Sequence, residues 1–240
     1  MRIGLLIALL LGIGSAPGAA AGTPPIPAAV DEYARAARAD TIREVEGLYR
    51  LGLRAAEDLV GPGSDILEEL SDSDFVLVQE KMRWFAVTRD EVVFVEADSD
   101  SFAELARRCR DTVSRDFFET AKQVTYDGYA AWPAYVEQVT DYSGCTKFGS
   151  LELVRCYRLL TRFRTLHPNR YRDRIDRLLE PLEEDLTSGD CPCGVREDVV
   201  YELRAFLSEF PKAPIAPSIR ERLTQIETGK LSIRDHCSPG

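Results

Sequence analysis

The chain has 240 residues, enough for one large domain or two small ones around a real hydrophobic core. Its 40 acidic and 30 basic side chains leave a net charge of −10. Phosphate backbones and anionic lipid surfaces repel such a chain, which argues against nucleic acid and against a peripheral membrane role.

Met1-Arg2 supplies a positive charge, Ile3 to Ile13 an apolar run, and Ala19-Ala20-Ala21 a small-residue cleavage site. This is the order of an export signal. The run of 11 residues is too short to span a bilayer, which takes roughly 20. The expectation is a signal peptide over 1–21, a mature chain without a membrane span, and a periplasmic or secreted location.

Residues 22–100 hold 18 acids against 8 bases and read as an acidic, helical N-terminal region. Thr41 and Glu44 fit a capping box ahead of a stripe of Ile42, Val45, Tyr49, Leu53, Ala56 and Val60. Gly61-Pro62-Gly63 ends that helix, and Ser64 to Leu70 reads as a short one. Phe75 to Phe85 is apolar with neither period clean. Glu91 to Glu96 is the best strand, and a hairpin turning at Arg89-Asp90 fits it.

From 101 onward the pattern is regular. Ser101 and Glu104 form a second capping box, and Phe102, Leu105, Cys109, Val113 and Phe117 make one helical stripe. Pro133 suits the first position of a helix running to Asp141. Further helices are expected over 150–166, over 171–186 with Pro181 inside, over 195–210, and from a cap at Ser218 to Thr228. First helices of successive pairs start near 101, 149 and 195. Cys145, Cys191 and Cys237 recur at intervals of 46, and Cys109 and Cys156 lie 47 apart. The fold class expected is therefore mainly α: about three helical-hairpin pairs over 101–240, stapled by disulfides, behind a helical N-terminal region with a short hairpin.

Leu160 to Phe163 leads into His167-Pro168, and Leu207 to Phe210 leads into Pro211 and Pro214. On these turns, residues 150–230 resemble the tetratricopeptide-like and other α-solenoid families. The period near 46 departs from the 34 of a tetratricopeptide unit, and no functional residue carries over.

An up-and-down array places all six cysteines towards one end. The pairing expected is Cys109 with Cys145 and Cys156 with Cys191 or Cys193, the remaining one joining Cys237. Two rival uses are a zinc site from Cys191, Cys193, His236 and Cys237, and a Cys191-Pro192-Cys193 redox pair.

No G-x-S-x-G, H-E-x-x-H, P-loop or G-x-G-x-x-G stands in the sequence, and no cofactor or metal is called for. The candidate binding surface is Tyr126, Tyr129, Trp132, His167, Arg170 and Tyr171, aromatics and an arginine suited to a peptide or a sugar. The competing reading has these aromatics filling gaps between hairpins. Residues 155–177 carry eight arginines against two acids, fit either to dock on the acidic segment or to bind an anion. The function expected is an exported, non-enzymatic binding or scaffolding protein that caps or inhibits a protein or peptide partner. The alternative is a cell-wall or glycan hydrolase using carboxylates near Trp132 and His167.

Overall fold

The computed structural model describes residues 24–38, 42, 44–90, 92–126, 129–140, 143–189 and 191–233. Among them the chain is mainly helical, with ten helices and three two-stranded antiparallel ladders. The expected signal segment, the Thr41 cap and the Cys237 bridge lie outside the described residues.

Helix α1 (Ala28–Ala37) packs on α2 (Val45–Val60) and on α4 (Asp72–Lys81), with the single turn α3 (Ile66–Glu69) between them in sequence. Residues 75–85, ambiguous in sequence, divide into the end of α4 and the start of a strand. Ser71 caps α4 by accepting the Asp74 N–H at 3.2 Å. Strands β1 (Phe85–Arg89) and β2 (Val93–Ala97) form the expected hairpin, in register from Phe85↔Ala97 to Arg89↔Val93, so Arg89 belongs to the strand and not to the turn. Gly52 lets this hairpin approach α2. A Cβ there would meet the Phe85 ring at 2.2 Å and Tyr33 at 3.0 Å.

The single stripe expected across 102–117 is two helices, α5 (Ser99–Cys109) and α6 (Thr112–Val124). Arg110 breaks them in the left-handed conformation (φ 56°), and the Asp111 N–H reaches back to Ala106 O at 2.9 Å. Both helices start at an aspartate placed three residues before a serine. Asp98 accepts from the Ser101 N–H at 3.1 Å, and Asp111 accepts from the Ser114 N–H at 3.0 Å. The cap of α5 is thus Asp98, and Ser101 sits inside the helix.

The helix expected from Pro133 to Asp141 does not form. Pro133 ends β4 (Tyr129–Pro133), which pairs with β3 (Thr125–Tyr126), and β5 (Val136–Thr140) pairs with β6 (Ser143–Thr146). Three β-branched residues in five, Val136, Val139 and Thr140, favour the extended chain. Gly144 admits the close pairing, because a Cβ there would meet the Val136 side chain at 2.6 Å and Glu137 O at 2.9 Å.

Residues 152–227 hold α7 (Glu152–Leu166), α8 (Arg172–Thr187), α9 (Arg196–Glu209) and α10 (Ala216–Glu227). Helix α7 packs on α8 and α9, and α10 packs on α9 and α8. Two helical hairpins thus stand side by side where three were expected. In the first of the three expected pairs, the second helix is replaced by the β3–β6 segment. Ser218 is the third residue of α10, whose N-cap is Ile215.

The disulfide pairing also differs. Cys145 is bonded to Cys193, and Cys109 and Cys156 are free thiols. Backbone pairing explains the choice. The Thr146 N–H donates to Cys191 O at 2.8 Å and the Cys193 N–H donates to Thr146 O at 2.9 Å, so residues 191–193 lie along β6 with Cys193 beside Cys145. Cys156 is fully buried on α7, and burial pushes its thiol up to about 12. Cys193, once oxidised, cannot serve a zinc ion as a thiolate or join Cys191 in a redox pair.

One buried cluster runs from Val30 on α1 to Ile226 on α10. Its centre is aromatic. Tyr49 lies 5.6 Å from Phe102, 5.3 Å from Phe118 and 5.7 Å from Tyr171, and Phe117 stacks on Tyr171 at 3.8 Å.

Candidate functional site

Three charged side chains are buried among the described residues: Glu46, Glu202 and Arg222. Each is taken up at a helix end. Helices α7 and α8 start from left-handed residues, Leu151 (φ 64°) and Tyr171 (φ 53°), neither with a side chain that can cap. Their free N–H groups are served from elsewhere. Glu202 on α9 accepts from the Gly149, Leu151 and Val154 N–H groups at 3.0, 2.8 and 3.3 Å. Glu46 on α2 accepts from the Tyr171 N–H at 2.9 Å. A carboxylate at a helix N-terminus also meets the positive end of the dipole. Arg222 on α10 does the converse for α8, donating to the carbonyls of Asp185 at 2.5 Å, of Leu186 at 2.9 Å, and of Gly189.

The arginine-rich stretch sorts by partner. Arg170 docks on the acidic N-terminal part, pairing with Glu46 and standing 3.4 Å from Asp111. Arg155 pairs with Glu152, Arg158 with Glu209, and Arg164 and Arg172 with Asp176. Arg174 and Arg177 make no ion pair among the described residues. They face a cleft of about 720 Å³ between α2 and α8.

This cleft is the candidate site. Arg50, Arg54 and Glu57 line it from α2, and Asp173, Arg174 and Arg177 from α8. Between them lie Tyr49, Leu53, Val95 and Tyr171. Four guanidiniums and two carboxylates line it, and two of the four guanidiniums are ion-paired with further carboxylates. Arg50 is bonded to the buried Glu46 at 2.7 Å and Arg54 to the exposed Glu32 at 3.3 Å. Arg174 is half-buried beside the Tyr49 phenol. Burial raises the pKa of that phenol and the nearby guanidinium opposes the rise, so it stays neutral.

Arg174 also borders two smaller cavities. One, of about 150 Å³, lies against Phe117, Phe118, Ala121 and Leu178. The other, of about 110 Å³, lies against Val124, Pro133, Tyr135 and Leu160. The outer cleft and both inner spaces thus meet at one side chain.

Of the residues expected from sequence, those whose side chains are described do not all line one cavity. Tyr171 is buried, stacked on Phe117, and lines the cleft; its hydroxyl donates to Ser114 Oγ at 2.7 Å. Arg170 is held by Glu46. His167 ends α7 with its ring 4.9 Å from Phe163. Trp132 sits on β4 over Gly144. Neither Trp132 nor His167 lines the cleft or its two inner cavities. Tyr126 and Tyr129 pair in register in β3 and β4; their side chains lie outside the described residues. Sequence reasoning missed Arg50, Arg54, Tyr49 and the roles of Arg174 and Arg177. The signal available was the excess of arginine over acid in 155–177, which local pairing cannot neutralise.

The Asp185 carboxyl is pushed up to about 6 by burial. The Thr146 hydroxyl and Arg222 pull against that rise. It lines none of these cavities. Comparison with protein-family models, with curated proteins and with solved structures finds no match to the chain.

Proposed function

We propose that this is an exported, non-enzymatic binding protein that receives a peptide segment of an envelope or secreted partner in the α2–α8 cleft. A protein that caps or inhibits its partner is the concrete version. The observation that carries this reading is the cleft itself, faced by Arg174 and Arg177, which make no ion pair among the described residues while Arg172 beside them on α8 has Asp176. Its volume falls in the range of ligand sites, roughly 300–1,000 Å³. An oxidised Cys145–Cys193 pair suits the oxidising compartment expected from the export-signal reading of residues 1–21. The paired hairpins α7–α8 and α9–α10 supply the scaffold. The hydrolase alternative draws no support from Asp185, whose carboxyl is raised to about 6 but lines none of the cavities described above.

Selection of a random peptide library on the immobilised protein tests the reading. A convergent motif is expected, with recovery falling to background on the Arg174→Glu/Arg177→Glu double variant. No motif above background, or recovery indifferent to the variant, overturns it.

A further inference from the structure

We infer that the junction where residues 191–193 lie along β6 is a pH-sensitive joint, closed while the Asp185 carboxyl on α8 is protonated and opening more often once that carboxyl is charged. None of the residues that form it lines the α2–α8 cleft, so the joint stands whether or not the binding reading does.

Thr146 is the hub. Its N–H donates to Cys191 O at 2.8 Å, and its carbonyl accepts the Cys193 N–H at 2.9 Å. Its side chain is buried, and its hydroxyl donates to the Asp185 carboxyl. One residue thus holds the disulfide-bearing segment through its backbone and α8 through its side chain. Gly189, just past the end of α8, covers the same carboxyl: a Cβ there would meet Asp185 Oδ1 at 2.8 Å. The Gly189 carbonyl is in turn held by Arg222.

The groups around the carboxyl offset its burial only in part. Arg222 from α10 faces it, but that guanidinium also donates to the carbonyls of Asp185, Leu186 and Gly189. Glu184, beside it on α8, opposes a further negative charge. Tyr135, between β4 and β5, places a buried hydroxyl near both Asp185 and Cys156 of α7; that hydroxyl has no hydrogen-bond partner among the described residues. Burial keeps the Tyr135 phenol and the Cys156 thiol neutral, so neither supplies a compensating charge. A charged Asp185 escapes its burial when Gly189 and residues 191–193 lift and admit water. Lifting parts the two backbone hydrogen bonds of Thr146. Asp185 titrates near 6 in the closed joint and near its ordinary 3.8 in the opened one. Opening is therefore suppressed in acid, grows as pH rises between those values, and levels off above the higher one.

Amide hydrogen exchange of the intact, oxidised protein tests this at Thr146 and Cys193, corrected for the intrinsic pH dependence of exchange. Protection of both amides should fall at least about tenfold from about pH 4 to about pH 7.5, with about a hundredfold as the ceiling that two pH units of linkage allow. Asp185→Asn should remove most of that fall. Thr146→Val deletes the hydroxyl that favours the charged form, and should move the upper end of the transition to higher pH. The Tyr49 amide on α2 should stay better protected than the joint at both pH values. Protection that is constant with pH, or that falls as far in Asp185→Asn, overturns the inference. Protection at the joint equal to that at Tyr49 also overturns it, because the junction then opens only with the whole fold.

Discussion

The Glu202 carboxylate accepts the Leu151 N–H at 2.8 Å across 51 residues of chain. It thereby supplies the helix cap that Leu151 cannot. Glu46 repeats the arrangement for Tyr171 on the next helix at 2.9 Å. Two helix starts that are uncapped by their own sequence are thus each closed by a buried glutamate from a different helix, and the second closure ties α8 to α2 along the cleft.

Glu202→Ala should be among the costliest single changes in the molecule. It leaves the buried N–H of Val154 and the part-buried N–H groups of Gly149 and Leu151 without this acceptor, for a loss of about 2–4 kcal/mol. Glu202→Gln keeps the shape but turns an amide N–H₂ towards those donors, and should cost somewhat less. Urea denaturation of both variants checks this; a cost below about 1 kcal/mol for the alanine variant contradicts it.

Glu46 couples stability to the site. It holds the start of α8 through Tyr171, and it holds Arg170 and Arg50. Glu46→Ala should lose about 2–4 kcal/mol and weaken ligand binding with it. A double-mutant cycle with Arg170→Ala should return a coupling of about 1–3 kcal/mol, since Arg170 is half-buried and its partner is not exposed. Additive losses are the contrary result.

Asp185 makes a pH signature. Its folded pKa of about 6 exceeds the unfolded value of 3.8, so the folded chain holds that proton more tightly. The stabilisation is complete below about pH 4 and is lost as pH rises through about 6. Asp185→Asn removes the titration while keeping the size. The variant should gain on wild type by about 1–3 kcal/mol between pH 4 and pH 7. A stability difference that stays constant across that range contradicts the assignment.

The two free thiols should separate under alkylation. Iodoacetamide at pH 8 should label Cys109, at the half-buried end of α5. Cys156, whose thiol is held at about 12, should be spared until denaturant is added. Non-reducing peptide mapping of the same sample should return Cys145 joined to Cys193, a closure of 48 residues that contributes about 4 kcal/mol in the chain-entropy account. Cys109 joined to Cys145 is the result that contradicts it.

Elements with a strong local signal were legible in the sequence: α2, the β1–β2 hairpin, and the four helices α7–α10 all stand within a few residues of where periodicity puts them. Helix starts were less so. Ser101-x-x-Glu104 looks like a capping box, yet Asp98 lies three residues earlier and its carboxylate takes the Ser101 N–H and hydroxyl instead. Pro133 fits a helix start as well as a strand end. What settled it is non-local, the pairing of Val136 with Thr146 and the alignment of residues 191–193 beside β6. The same alignment chose Cys193 for Cys145, which no spacing rule contains. Of the site, Tyr171 was legible as a chemically suited residue. Arg174 and Arg177 became distinct only once every other arginine of 155–177 except the exposed Arg162 had an acid beside it.

The central claim is that the cleft between α2 and α8 is where this protein meets its ligand. Amide and arginine-Nε NMR shifts, followed while the selected peptide is titrated into labelled protein, test it most directly. The account predicts the largest changes at Arg174, Arg177, Leu53 and Val95, with Trp132 and His167 unmoved. Shifts concentrated at Trp132 and His167, with the α2–α8 resonances unchanged, contradict it.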